Sequence, residues 1–424
     1  MKNYLKEHVK DTKNFTIKCI ERAYVLGHWL LLACIVGVLL GVVGGLFGRA
    51  ITELTAFRQT HTWMLYLLPV AGLVIVAIYK LDPYHTGTNL VLLGIQKGKY
   101  VPLRMATLIV ISTMLTHAFG GSAGREGAAL QLGGSLGGTV GKYLKMDEYD
   151  KKVMIMCGMS AGFSALFGTP LTATVFSMEV ISVGIMQYAA FVPCAIASLV
   201  AKEVALMVGG HAEHFTLPTG IAFDLKNTVL VIILAVLCAA VSIIFCILLH
   251  LTEHYMEQWF PNQWIRVVVG ALLIIALTKI VGTTDYLGAG MNIVERAIEG
   301  EVFAFAFILK MIFTAVTLGA GFKGGEIVPT LFVGATFGCL FGQITGISPA
   351  LAAACGMAAL FAGVTNSPIS TMFLCIELFG SEYIPFFLIA ISISYLESGY
   401  FGLYHSQKIM YSKTKLKFIN TQTK

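Results

Sequence analysis

Charge is scarce in this 424-residue sequence: 12% of its residues are Asp, Glu, Lys or Arg, where a soluble globular protein carries about 25%. With 57% hydrophobic residues and a mean hydropathy of +0.79, too little polar surface remains for a soluble enzyme, a disordered chain or a nucleic-acid binder. Proline is sparse at 11 residues, and the 44 glycines follow no G-X-Y period, which excludes collagen-like and linker sequence. The nine cysteines form an odd set without a C-x-x-C pair, and nearly all lie in apolar runs. They read as reduced packing residues. The net charge of +6 is modest, with the basic residues gathered at the two ends. What remains is an all-α polytopic membrane protein.

Residues 1–26 are too long and too mixed in charge for a signal-peptide leader and read as an amphipathic segment ahead of the first span. After Tyr404 come Lys408, Lys413, Lys415, Lys417 and Lys424 without a single acid. Basic flanks of this kind place both termini in the cytoplasm of a cell-membrane protein. Between the two ends, apolar stretches fill the chain, yet several fall short of the about 20 residues a clean span needs. The short ones are bounded by Gly, Pro, Thr and Asn, which predicts helices that stop inside the bilayer and face protein or a water-filled cavity.

The chain repeats itself. Cys157-Gly158-Met159-x-Ala161-x-Phe163 returns as Cys355-Gly356-Met357-x-Ala359-x-Phe361, with Pro170 answered by Pro368 and Glu179 by Glu377, all at an offset of 198. Gly124, Glu126, Gly134 and Gly138 align with Gly324, Glu326, Gly334 and Gly338 at an offset of 200. Gly87-Thr88-Asn89-x-Val91 echoes Gly290-Met291-Asn292-x-Val294 at an offset of 203. Three blocks in one order predict two similar halves, residues 27–208 and 227–404, joined by a linker over 209–226 and followed by a basic tail over 405–424.

The first block, Gly120-Gly121-Ser122-Ala123-Gly124-Arg125-Glu126-Gly127, is a glycine-rich turn opening a helical run. Such a helix start offers unpaired N–H groups and the positive end of the dipole, which is an anion site. Glu126 sits at that start. A dipole-stabilised carboxylate is the plain reading, but an ionisable residue within a membrane marks a functional site. Its side chain can itself occupy the anion site, so that anion and proton compete for one place. Gly324-Gly325-Glu326-Ile327-Val328-Pro329 opens the other half in the same way, with Pro329 suited to a first turn. Glu326 is either a second working acid or a carboxylate satisfied by its own backbone. His85-Thr86-Gly87-Thr88-Asn89, a polar break after Pro83, is either an ordinary turn or a loop lining the same site. Because Glu179 and Glu377 repeat symmetrically at helix ends, a structural role is expected of them.

A rival from another class is the H-x-x-E-H pattern formed by His250, Glu253 and His254, which also occurs in zinc peptidases. The motif is short, and no other metal-ligand cluster accompanies it. A membrane zinc peptidase is therefore the remote alternative, and no metal or cofactor is expected.

GREG followed by A-x-x-Q (Gly124 to Gln131), the GGEIVP block, the duplicated layout and the ending Gly402-Leu403-Tyr404 together resemble the CLC family of chloride channels and anion/proton antiporters, over residues 27–405. The resemblance implies an inverted repeat of broken and tilted helices, about eighteen per subunit, in a homodimer with one pathway per subunit. It implies Glu126 as a gating glutamate that carries the proton and Tyr404 as an inner-gate hydroxyl. The anion would be held by N–H groups around Gly124, Arg125, Gly127, Glu326, Ile327 and Val328 and by the Gly87-Thr88-Asn89 loop.

The departures from the family pattern carry information. Thr88 and Val91 stand where the family has a serine and a proline, Ala128 replaces the proline of GREGP, and Ile327 follows Glu326 where the pattern has GxFxP. Val180 follows the helix-end Glu179 at a position where many chloride/proton antiporters carry an acid. These changes resemble the fluoride-exporting branch, which also has a glutamate at the Glu326 position, although Val328 and Thr88 differ from residues found in that branch. Fluoride is small, strongly hydrated and a strong acceptor, so a protonated carboxylic acid can donate to it directly. The expectation is a proton-coupled fluoride exporter. The alternative is a chloride/proton antiporter or chloride channel of the same fold.

Overall fold

The computed structural model describes residues 2–80 and 87–424; His85 and Thr86 lie outside them. Sixteen α-helices are found among the described residues, eight in each half. The first half contains α1 (Lys2–Thr60), α2 (Leu68–Lys80), α3 (Thr88–Lys97), α4 (Leu103–Ala118), α5 (Glu126–Tyr143), α6 (Glu148–Phe167), α7 (Pro170–Glu179) and α8 (Phe191–Met207). The second contains α9 (Leu225–Trp259), α10 (Gln263–Val281), α11 (Met291–Ile298), α12 (Ala306–Gly319), α13 (Ile327–Thr345), α14 (Pro349–Thr365), α15 (Pro368–Phe379) and α16 (Ile384–Glu397). The leader adds no separate helix, because α1 runs unbroken for 59 residues through the boundary at residue 27.

Six helical segments are long and apolar enough to cross a bilayer, while α4, α12, α14, α15 and α16 are shorter apolar helices. Mid-bilayer ends demand partners within the protein, and the sequence supplies them locally. Pro170 and Pro368 occupy the first position of α7 and α15, where a missing N–H is harmless. The Asp147 carboxylate accepts from Asp150 N to cap α6, and Ser348 caps α14. Every residue of α14 from Ala350 to Thr365 is buried, as befits a helix that is apolar on all sides.

Within each half, two helices cross at near-contact. A Cβ on Gly133 or Gly137 of α5 would overlap the carbonyl oxygens of Gly158 and Met154 in α6; one on Gly334 or Gly338 of α13 would overlap those of Gly356 and Ala352 in α14. These contacts correct the register of the repeat. Gly133 and Gly137, rather than Gly134 and Gly138, are the counterparts of Gly334 and Gly338. Likewise α5 opens at Glu126 and α13 at Ile327, so Glu326 takes the cap position that Arg125 holds in the first half. Adjacent glycines and a coincident Glu align equally well by identity at either spacing. Backbone contact alone separates the two.

The segment after Tyr404 is folded rather than a free tail. Lys408–Tyr411 (β2) pairs in parallel with Ser182–Val183 (β1) and antiparallel with Phe418–Gln422 (β3). Gln407 donates to the carbonyls of Val180 and Thr365 and accepts from Asn366 Nδ2. Lys413 Nζ donates to Asn366 Oδ1, to the Tyr395 carbonyl at 2.7 Å and to Ser398 Oγ at 3.2 Å. Lys413→Met leaves these acceptors without their cation. It is expected to lower stability by about 1–3 kcal/mol, read as a lower thermal midpoint in detergent, and to expose residues 405–424 to protease.

Candidate functional site

The glycine turns of the two halves bond directly to each other. Gly124 N donates to the Gly325 carbonyl and Gly325 N to the Gly124 carbonyl, both at 2.7 Å, an isolated antiparallel bridge. A Cβ on Gly325 would overlap Gly127 N, and one on Gly127 would lie 2.9 Å from Gly325 Cα, so only glycine admits this approach. The Gly120–Gly124 turn is braced from α12, where Thr317 Oγ1 accepts from Ser122 N at 3.0 Å and Thr314 Oγ1 pairs with Ser122 Oγ. The starts of α5 and α13 therefore meet, each presenting N–H groups that its own helix leaves without partners.

Glu126 is buried, and its carboxylate folds back over its own helix start, where Oε2 accepts from Arg125 N at 2.9 Å. A carboxylate thus occupies the place an anion would take. The Arg125 guanidinium lies 3.7 Å from Glu126 Oε1 but reaches Glu213 at 3.0 Å and the Leu166 carbonyl. Of Arg125, it is the backbone N–H that serves the helix start. Glu326 Oε2 is buried without a hydrogen-bond partner and lies 3.5 Å from where a Gly127 Cβ would stand. At this oxygen the local backbone supplies no donor.

Two cavities end at these paired starts. One, of about 320 Å³, is lined by Arg58, Arg125, Glu126, Glu213 and Val328, together with Gly290, Met291 and Asn292 at the start of α11. The other, of about 230 Å³, is lined by Glu326 and Tyr404, with Gly87, Thr88 and Asn89 at the start of α3. Each joins one half's Gly-x-Asn start to the other half's glycine turn, so the cavities are counterparts under the repeat. Ile327 is buried. Thr88 accepts from Gln131 Nε2 at 3.2 Å, and the Tyr404 hydroxyl is buried without a partner. Asn89 Oδ1 accepts from Ser406 N at 3.0 Å, which fixes the turn that carries Tyr404.

Glu179 and Glu377 each cap a helix of the opposite half. Glu179 accepts from Ile369 N, Ser370 N and Ser370 Oγ at the start of α15, and Glu377 from Leu171 N, Thr172 N and Thr172 Oγ1 at the start of α7. This is the structural role expected of them. Of the zinc-peptidase residues, His250 pairs with His405, ring centres 3.9 Å apart, and His254 lies against Tyr255; among the described residues no group of three His, Cys, Asp or Glu is set to hold a metal.

A family profile described as voltage gated chloride channel matches residues 83–399. The chain belongs to the CLC family. A relative from Pseudomonas syringae pv. tomato, named chloride/fluoride channel protein, is 34% identical over 92% of this chain and 88% of its own length. The solved structure of a CLC-type fluoride/proton antiporter superposes with a TM-score of 0.87 at 31% identity, covering 91% of this chain and 98% of the other. An H(+)/Cl(-) exchange transporter, ClcA, from Vibrio cholerae is 23% identical over 86% of this chain and 84% of its own length. The CLC fold is thus present, with its inverted repeat.

Several CLC cavity residues escaped the sequence reading. Gln131 closed the A-x-x-Q that follows GREG without being assigned to the site, Lys323 lay just before GGEIVP, and His405 carried no signal. Near the larger cavity three basic side chains are buried together. Lys310 Nζ donates to the Gly288 and Tyr286 carbonyls over the Phe332 ring, and Arg58 and His117 flank Gly288. They are scattered among apolar helices, where periodicity assigns them no function. Because the Tyr404 hydroxyl has no protein partner, Tyr404→Phe is expected to hold its unfolding free energy within about 0.5 kcal/mol of wild type or to raise it. A thermal melt in detergent checks this, and any accompanying change in anion flux then reports on the hydroxyl rather than on the fold.

Proposed function

We propose that this protein exports fluoride in exchange for protons, as a homodimer in the cell membrane with both termini cytoplasmic. The Tyr404 cavity then opens to the cytoplasm and the Glu126 cavity to the outside. The observation that carries the reading is the pair of unlike carboxyls at the joined helix starts: Glu126, folded over its own start, and Glu326, with a partnerless oxygen beside Gly127. A carboxylate at an anion site leaves it when protonated, so proton uptake by Glu126 frees the place for an anion. Protonated Glu326 is a hydrogen-bond donor, which suits fluoride better than the larger and weaker acceptor chloride. The similarity to a fluoride/proton antiporter supports the same substrate.

The backbone N–H groups around Gly124, Gly127, Ile327 and Val328 would hold the anion between the cavities, with the Tyr404 hydroxyl and Thr88 on the cytoplasmic approach. The test is paired efflux from reconstituted liposomes, with fluoride, chloride and proton movement recorded together. Fluoride efflux well above chloride, with protons moving the opposite way, is expected. Glu126→Gln should cut coupled proton movement by about a hundredfold, as removal of a proton-transfer group does. Undiminished coupling in that variant rejects the mechanism. Chloride flux equal to fluoride flux, or anion flux without protons, favours a chloride/proton antiporter or a channel instead.

A further inference from the structure

We propose that Glu253, beside the paired His250 and His405 rings, is the proton port of the Tyr404 cavity, taking protons from Glu326 and releasing them at the aqueous opening. The inference rests on the proton-coupled reading above and adds the route by which the proton leaves.

The cavity that ends at Glu326 has His250, Glu253, Lys323 and His405 on its wall. Its other polar side chains, Thr88, Asn89, Gln131 and Tyr404, are amides and hydroxyls that do not exchange protons near neutral pH. Carboxylates and imidazoles do. The position after Glu179 offers no substitute, because Val180 is fully buried and its carbonyl accepts from Gln407 Nε2.

The fold brings Glu253 to this wall. Gly319 ends α12 against α9, where a Cβ would stand 2.9 Å from Thr252 Cγ2 and 3.1 Å from Glu253 N. The chain then runs from Gly319 through Phe322 and Lys323 to Glu326, so the turn of α9 bearing Glu253 lies against the entrance to the glycine turn. Glu326 is within electrostatic reach of Glu253 and Lys323 as well as of Glu126. Around this opening Glu253 shares the wall with His250, Lys323, Glu326 and His405, and Glu257 on α9 and Arg266 on α10 are within electrostatic reach of Lys323. Arg266 is engaged by Glu257 at 3.0 Å, and among the described residues Glu253 makes no ion pair of its own. It is exposed at the opening, as a group exchanging protons with water must be.

In the step, the O–H bond of protonated Glu326 breaks as one forms on the Glu253 carboxylate. Glu326 is left as the anion, and Glu253 gives the proton up to the aqueous side, directly or through the imidazoles.

The experiment uses the full-length protein in liposomes, with fluoride and proton fluxes measured together while pH is varied on the Tyr404 side. Glu253→Gln is expected to slow both fluxes about tenfold, to leave the ratio of fluoride to protons unchanged and to flatten the pH dependence. Glu253→Asp, which keeps the acid, should restore most of the rate. If Glu253 acts only as a surface charge repelling anions, Glu253→Gln speeds fluoride efflux instead, and the proposal fails. It fails equally if that variant keeps the wild-type rate and pH profile. Absence of proton movement in the wild type overturns both this inference and the exchange reading. Coupled wild-type exchange with an indifferent Glu253→Gln overturns this one alone.

Discussion

Two hydrogen bonds between Gly124 and Gly325 set the geometry on which everything else depends. They join the halves through backbone alone, at a separation that leaves no room for a side chain on Gly127 or Gly325. Two helix starts are thereby pressed together where lipid could not satisfy them. Their free N–H groups face each other's half rather than hydrocarbon, and the cavities end there because the joined turns close the passage. A charged or anionic group is the natural occupant of such a place, and Glu126 fills it from within the chain.

The same reciprocity recurs at the ends of α7 and α15, where Glu179 and Glu377 exchange caps between halves. These two acids and the pair at the joined starts are all partly or fully buried carboxyls, yet they differ in saturation. Glu179 and Glu377 each accept three hydrogen bonds across their two oxygens, so moving either would strand backbone donors. Glu326 keeps an oxygen with no partner, and Glu126 is held chiefly by the N–H groups an anion would use. A saturated buried carboxylate is fixed in place, whereas an unsaturated one is free to take up a proton or a ligand.

Much of the site was legible in one dimension. Glycine-rich turns before the Glu126 and Glu326 helices and the paired prolines and glutamates appear in both halves, because each is a local signal of a helix beginning or ending inside an apolar chain. The misreadings share one cause. Glu326 was matched to Glu126 by identity, but the backbone puts it at the cap position, aimed at the other cavity. The segment after Tyr404 was read only as a basic tail, whereas Gln407 and Lys413 are consumed by acceptors on Val180, Thr365, Asn366 and Tyr395. Partners 42 and 227 residues away leave no periodic trace.

By itself the sequence determined that this is a duplicated, membrane-spanning helical chain with carboxyls at glycine-rich helix starts. Composition, period and capping are properties of neighbouring residues, and they survive in the string of letters. Only the tertiary structure decided which carboxyls remain unsaturated, which cavity each one faces, and that His250, Glu253, Lys323 and His405 share a wall with Tyr404. Those facts are distances between segments far apart in the chain, fixed by the approach of backbones at glycine and by hydrogen bonds that close only when both halves have folded.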